Sequence, residues 1–91
     1  MTDKIIRLRE KAGQLPASPG VYLMKNKDGN IIYVGKSKVL KNRVSSYFIG
    51  NSHSYKTEKM VSQVHDFDYI LCDSEIESLT LENVLIMFFF S

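Results

Sequence analysis

Cysteine is nearly absent from the chain: Cys72 stands alone among 91 residues. A lone cysteine excludes an internal disulfide framework, and with only two histidines it leaves no Cys/His zinc cluster. The two prolines, Pro16 and Pro19, fall in one short stretch that cannot be helix interior. Long apolar runs are missing too: the longest, Val84 to Phe90, has seven residues and cannot span a bilayer. No basic and apolar leader opens the sequence, so a reduced cytoplasmic setting is the expectation. No repeat, low-complexity tract or linker interrupts it. What is present, 44% hydrophobic and 24% charged residues, is ordinary globular composition with room for one small, thin-cored domain over residues 1–91.

Positive charge is absent from the last third. All twelve Lys and Arg lie in residues 1–60, against four acids, giving that part +8. Residues 61–91 hold the other six acids and no Lys or Arg, giving −6. The asymmetry suggests a polyanion-facing first part, although on charge alone a dipolar solvated surface is the better reading.

Apolar spacing predicts a helix over residues 3–12, ended by Gly13. Gly20 to Lys25 and Ile31 to Gly35 read as strands around the loop Asn26-Lys27-Asp28-Gly29. Ser37 is placed to cap a helix running to about Tyr47, Gly50 to Ser54 reads as loop, and Lys56 to Val64 as helix. Phe67, Tyr69 and Leu71 alternate with Asp66, Asp68 and Ile70, a strand exposed on one face. Ser74-Glu75-Ile76-Glu77 has the form of a capping box that opens a last helix. The result is an α+β domain: a small three-stranded, mainly antiparallel sheet flanked by helices.

With a four-residue loop, Val21 pairs with Val34, Leu23 with Ile32, Tyr22 with Tyr33 and Gly20 with Gly35. A two-residue Asp28-Gly29 loop moves these pairs diagonally but preserves the faces. Either way Val21, Leu23, Ile32 and Val34 share the core side. Tyr22 and Tyr33 share the other, beside glycines that leave bare backbone for another molecule to approach. On these residues alone, a stabilising aromatic cross-strand pair is the more economical reading. Gly35-Lys36-Ser37 imitates the end of a P-loop, but the required earlier glycine position is Asn30, so nucleotide hydrolysis is rejected.

Two charges fall among apolar neighbours. Arg43 lies within the stripe Val39, Leu40, Val44 and Tyr47 and must snorkel, pair with a carboxylate or bind an anion. Glu82 sits among Leu79, Leu85 and Ile86, beyond the first helical turn where the macrodipole accounts for Glu75 and Glu77. An Arg43–Glu82 ion pair and a functional role are equally served by these residues. Lys36, Lys38 and Lys41 read as a solvated basic face, and His53 and His65 as surface residues.

Gly20-Val21-Tyr22 followed by Tyr33-Val34-Gly35 resembles the two motifs of the GIY-YIG nuclease family. The blocks from Leu15 to Tyr22, Ile32 to Ser37 and Arg43 to Phe48 look like the N-terminal nuclease domain of bacterial UvrC. Asp73-Ser74-Glu75 and Leu79 to Asn83 continue the likeness, which covers roughly residues 10–86. The resemblance implies the GIY-YIG fold and a metal-dependent endonuclease of nucleotide excision repair. Such an enzyme cuts damaged double-stranded DNA on the 3′ side of a lesion, together with UvrA and with UvrB, the latter bound through regions outside this chain. It implies a site of Tyr22, Tyr33, Lys36, Arg43, Tyr47 and Glu82, with Glu82 the only protein carboxylate on one divalent ion, Mg²⁺ or Mn²⁺. Tyr33 would be the general base; ionising a phenol of ordinary pKa at pH 7 costs about 4 kcal/mol, and Lys36 and the metal field would reduce that. Arg43 would hold a non-bridging phosphate oxygen, Tyr22 and Tyr47 would position the water or phosphate, and Lys36, Lys41, Arg43 and Lys56 would bind DNA.

The likeness departs from the family at the end. Val84 stands where a second Asn is usual, Met87-Phe88-Phe89-Phe90-Ser91 replaces a basic stretch, and the expected downstream Asn does not occur. The phenylalanines could plug the core, form a dimer patch, or mark a truncated or frame-disrupted end, the reading favoured here. Two alternatives therefore stand beside the repair nuclease: a catalytically impaired DNA-binding fragment, and a stand-alone GIY-YIG nuclease outside repair.

Overall fold

The computed structural model describes residues 2–50 and 53–90. The elements run α1 (Asp3–Gly13), β1 (Gly20–Lys25), β2 (Ile31–Ser37), α2 (Leu40–Phe48), α3 (Tyr55–Gln63), β3 (Asp66–Leu71) and α4 (Glu75–Phe90). The sheet is antiparallel throughout, in the order β2-β1-β3. This is the α+β architecture expected from the sequence. Among the described residues no helix is long and apolar enough to cross a membrane.

Local chemistry starts the helices. The Thr2 hydroxyl accepts from the Ile5 N–H at 3.2 Å to open α1, Ser54 accepts from Thr57 to open α3, and Ser74 accepts from Glu77 to open α4. Helix α2 differs from expectation. Ser37 is not its cap, because β2 continues through Ser37, which pairs with Gly20, and the helix begins only at Leu40. Its first N–H groups are satisfied by the proline stretch: Leu40 N–H donates to the Ser18 carbonyl at 3.0 Å and Lys41 N–H to that of Pro16 at 3.3 Å. Of the expected loop Gly50 to Ser54, Asn51 and Ser52 lie outside the described residues.

The hairpin register corrects the four-residue loop. Asn26 N–H donates to the Asn30 carbonyl and leaves Lys27-Asp28-Gly29 as a three-residue loop, with Gly29 at φ 83°. A bulge follows at Met24/Lys25, so that Lys25 pairs with Ile31 but Met24 pairs with Tyr33. Tyr22 therefore lies opposite Gly35 and Leu23 opposite Val34, the diagonal shift of a two-residue loop. The extra residue, Ile32, is turned to the tyrosine side, and Ile31 takes its place beside Val21, Leu23 and Val34.

The assignment of the core face is also reversed. The larger core lies on the tyrosine side, where Tyr22 and Met24 pack with Leu8 and Ala12 of α1, with Val44 and Phe48 of α2, and with Phe67. The valine side carries a smaller cluster of Val21, Leu23, Val34 and Cys72, covered by Leu81 and Leu85 of α4. The strand-end glycines are not open ground for a visiting backbone. A Cβ on Gly35 would stand 2.5 Å from Cζ of Tyr22, and one on Gly20 would stand 2.5 Å from the Ile70 carbonyl oxygen. Strand β3 is exposed on both faces beyond the buried Phe67. In α4 only Ser78 is buried, and Phe88, Phe89 and Phe90 are exposed, so they do not plug the core.

Gly35→Ala must displace the Tyr22 ring or the strand. We expect a loss of about 1–3 kcal/mol, the range for forced overpacking, measured as a lowered urea midpoint; an unchanged midpoint would show that Tyr22 can leave its place freely.

Candidate active site

Tyr22 comes from β1, Tyr33 from β2 and Tyr47 from α2, and the fold gathers their rings on one side of the sheet. Their centroids lie 6.1 Å apart for Tyr22–Tyr33, 5.8 Å for Tyr22–Tyr47 and 6.4 Å for Tyr33–Tyr47. The Tyr22 and Tyr47 hydroxyls share a buried hydrogen bond of 2.7 Å, in which either can donate. Burial of two phenols is tolerable because each satisfies the other. Tyr33 is the open member, 37% exposed on the edge strand.

Arg43 stands one helical turn before Tyr47, and its guanidinium lies over the Tyr47 ring at 4.7 Å from the centroid. It forms no ion pair with Glu82. Desolvation works to lower the Arg43 pKa, but its interaction with the Tyr22 hydroxyl and the attraction of all three phenols prevail and raise it. Burial pushes the Tyr22 and Tyr33 pKa values above 10. The Tyr47 phenol is pushed up to about 12, first by burial and then by its bond to Tyr22. The protein by itself thus holds Tyr33 protonated rather than readying it as a base.

Lys36 is not next to Tyr33's hydroxyl. Strand alternation turns it to the α4 side, where it lines a small cavity of about 70 Å³ with Ser37, Lys38, Glu75 and Ser78. Glu75 pairs there with Lys38 at 3.1 Å. Glu82 follows Ser78 by four residues on the same helical face; it is partly buried and makes no hydrogen bond or ion pair among the described residues. The tyrosines with Arg43 and the Lys36–α4 group therefore flank β2 on opposite sides around Gly35. Of the other expected DNA contacts, Lys56 lines a cavity with Tyr33, Arg43 and Tyr47, whereas Lys41 is exposed on α2 and lies away from that cavity.

Two features escaped the sequence reading. His53 is not a plain surface residue: it stacks on Tyr47 at 6.2 Å and 30°, with its Nε2 buried and unpartnered. Lys59 and Gln63 join Lys56 on the cavity wall. The spacing of Lys56, Lys59 and Gln63 along one face of α3 was the available signal.

The model of the UvrC-like GIY-YIG domain matches residues 18–89. The chain belongs to the UvrC-like GIY-YIG family. It is 62% identical over 79 residues to the UvrABC system protein C of Desulfitobacterium hafniense (strain Y51), a match over 87% of this chain and 13% of that protein. The chain thus spans about an eighth of the length of that relative. The N-terminal endonuclease domain of UvrC from Thermotoga maritima, solved bound to its catalytic magnesium, superposes with a TM-score of 0.81 at 37% identity, over 98% of this chain and 93% of that one. A form of the same domain with one tyrosine replaced by phenylalanine is also bound to its catalytic divalent cation, with TM-score 0.81, 36% identity and coverage of 98% and 93%.

Among the described residues no three His, Cys, Asp or Glu side chains cluster to enclose an ion. A cation here would rest on no more than two such side chains and on water, which suits Mg²⁺, since it keeps several waters and takes one or two carboxylates. Glu82, half-buried and without a cationic partner, fits that part.

The raised phenols also tie stability to pH. Each contributes stability that is complete below pH 10 and is lost as pH rises through its folded pKa, about 12 for Tyr47. Unfolding free energy, measured by urea between pH 7 and 12, is expected to fall above pH 10, and by less in Tyr47→Phe than in the parent. Equal alkaline losses in the two proteins would contradict the burial of Tyr47.

Proposed function

We propose that the domain hydrolyses one DNA phosphodiester with a single divalent cation, Mg²⁺ or Mn²⁺, making the incision 3′ to a lesion in nucleotide excision repair. It acts there with UvrA and with UvrB, whose contacts lie outside this chain. The observation that carries the reading is the tyrosine trio with Arg43 at its edge, on a fold that matches an endonuclease domain bound to its catalytic magnesium.

The roles follow from exposure and charge. Tyr22 and Tyr47, buried and bonded to each other, hold the trio rigid. Tyr33, the accessible phenol, is the general base toward the attacking water. Arg43 presents a fixed planar cation to a non-bridging phosphate oxygen and opposes the charge that develops there. Glu82 holds the cation, which when bound supplies positive charge to the phosphate and to the phenol. Lys36 adds a positive charge on the α4 side, and Lys41 and Lys56 add general attraction to DNA. Because burial holds Tyr33 protonated, ionising it at pH 7 costs at least about 4 kcal/mol. The reaction is therefore favoured by alkali.

Nicking of plasmid DNA by the whole chain, with Mg²⁺, with Mn²⁺ and with chelator, tests this. Tyr33→Phe and Glu82→Ala are each expected to lower the rate by about 100-fold or more, with circular dichroism and Tm unchanged. The parent rate is expected to rise about tenfold per pH unit between pH 7 and 9, the signature of a base titrating above that range. Full activity in either variant sinks the assignment. Salt-sensitive DNA retention without nicking under any condition favours instead a binding-only fragment.

A further inference from the structure

The cavity between β2, α2 and α3 has about 520 Å³ of space, within the roughly 300–1,000 Å³ of sites that take a small organic group. Its walls have two characters. Arg43, Lys56 and Lys59 give it three cations, and no carboxylate lines it among the described residues. Ile32 and Met60 give it an apolar floor, and Tyr33, 37% exposed, gives it an aromatic edge. A groove that only follows phosphates has no use for the second character. The bulge at Met24/Lys25 is what turns Ile32 to this side, so the apolar part is built by the hairpin.

Resting on the nuclease reading, we propose that this cavity takes the nucleobase next to the phosphate held by Arg43, so that the domain binds DNA whose strand is unstacked at the cut. The base stacks on Tyr33 over Ile32 and Met60, where any of the four bases serves because each has a π-face. Lys56 and Lys59 hold the phosphate beyond it. Gln63, exposed at the end of α3 on the same wall, meets the polar edge of the base. A base inside an intact duplex is stacked on both sides and cannot enter. The cavity therefore selects a strand that is locally opened, and gives the domain a reason to act on DNA already distorted.

The test uses binding in chelator, so a chain that binds but never cuts leaves it readable. The probe is a single-stranded DNA of about ten nucleotides, a length suited to one small domain, carrying 2-aminopurine at one position at a time. Quenching is expected at one position. Removing the base at that position should weaken binding about tenfold, within the range for loss of one stacked base. Tyr33→Leu should abolish the quenching and weaken the intact strand by the same factor, while leaving the strand that lacks the base unaffected. Lys59→Gln should weaken both strands equally and flatten the salt dependence. Equal quenching at every position, or a Tyr33→Leu loss that is the same on both strands, overturns the proposal and leaves a phosphate groove only. Absence of nicking with this binding pattern intact would fail the nuclease reading and not the cavity.

Discussion

The structure depends on one contact, the Tyr22 ring lying across Gly35. Only a residue without a side chain can stand opposite Tyr22 in the hairpin, because a Cβ there would stand 2.5 Å from Cζ of the ring. With Gly35 in place the ring lies flat over β2, and its hydroxyl reaches Tyr47 on α2 at 2.7 Å. A pair of glycine-flanked strands is thereby tied to a helix by one side chain. The tyrosine side of the site follows from that tie: the position of Tyr47, the place of Arg43 one turn earlier, and the close approach of Tyr33.

The tie also decides the electrostatics. Three phenols in partial or full burial resist ionisation; the Tyr22–Tyr47 bond eases this for Tyr22 and adds to it for Tyr47. Arg43 works in the other direction, since it sits over the Tyr47 ring and lowers the pKa of each phenol it faces. Burial wins. The site is consequently a neutral aromatic cluster with one fixed cation.

Much of this was legible in the chain because it is local or periodic. Gly20 to Lys25 appeared as β1 without error, the cap at Ser74 behaved as its spacing implies, and the placing of Tyr22 with Tyr33 on one face needed only alternation. What failed was non-local. The bulge that exchanges Ile31 and Ile32 between faces is set by how the three-residue loop closes through Asn26 and Asn30, and alternation carries no sign of it. The choice of core side failed for a related reason. Tyr22 looked like a surface phenol because its partners, Leu8, Val44 and Tyr47, arrive from two helices far along the chain. The cap of α2 failed because backbone carbonyls of Pro16 and Ser18 did the work a serine was expected to do.

The division of charge along the chain acquires a spatial meaning from β2. The basic part supplies Arg43, Lys56 and Lys59 to the tyrosine side, and the acidic part supplies Glu82 on α4 to the opposite side. If both sets lay on one face, Arg43 would be free to pair with Glu82 and neither charge would stay uncompensated. Separation by an edge strand keeps both charges unspent. An edge strand is also the one place in a sheet where a bound backbone can touch both faces at once, since no further strand closes it off. Gly35 lies on that strand between the two groups, with its own side-chain space filled by Tyr22. The same glycine that admits the tyrosine therefore lies where the two groups flank one edge strand, and this is why the hairpin rather than any helix sets the geometry of the site.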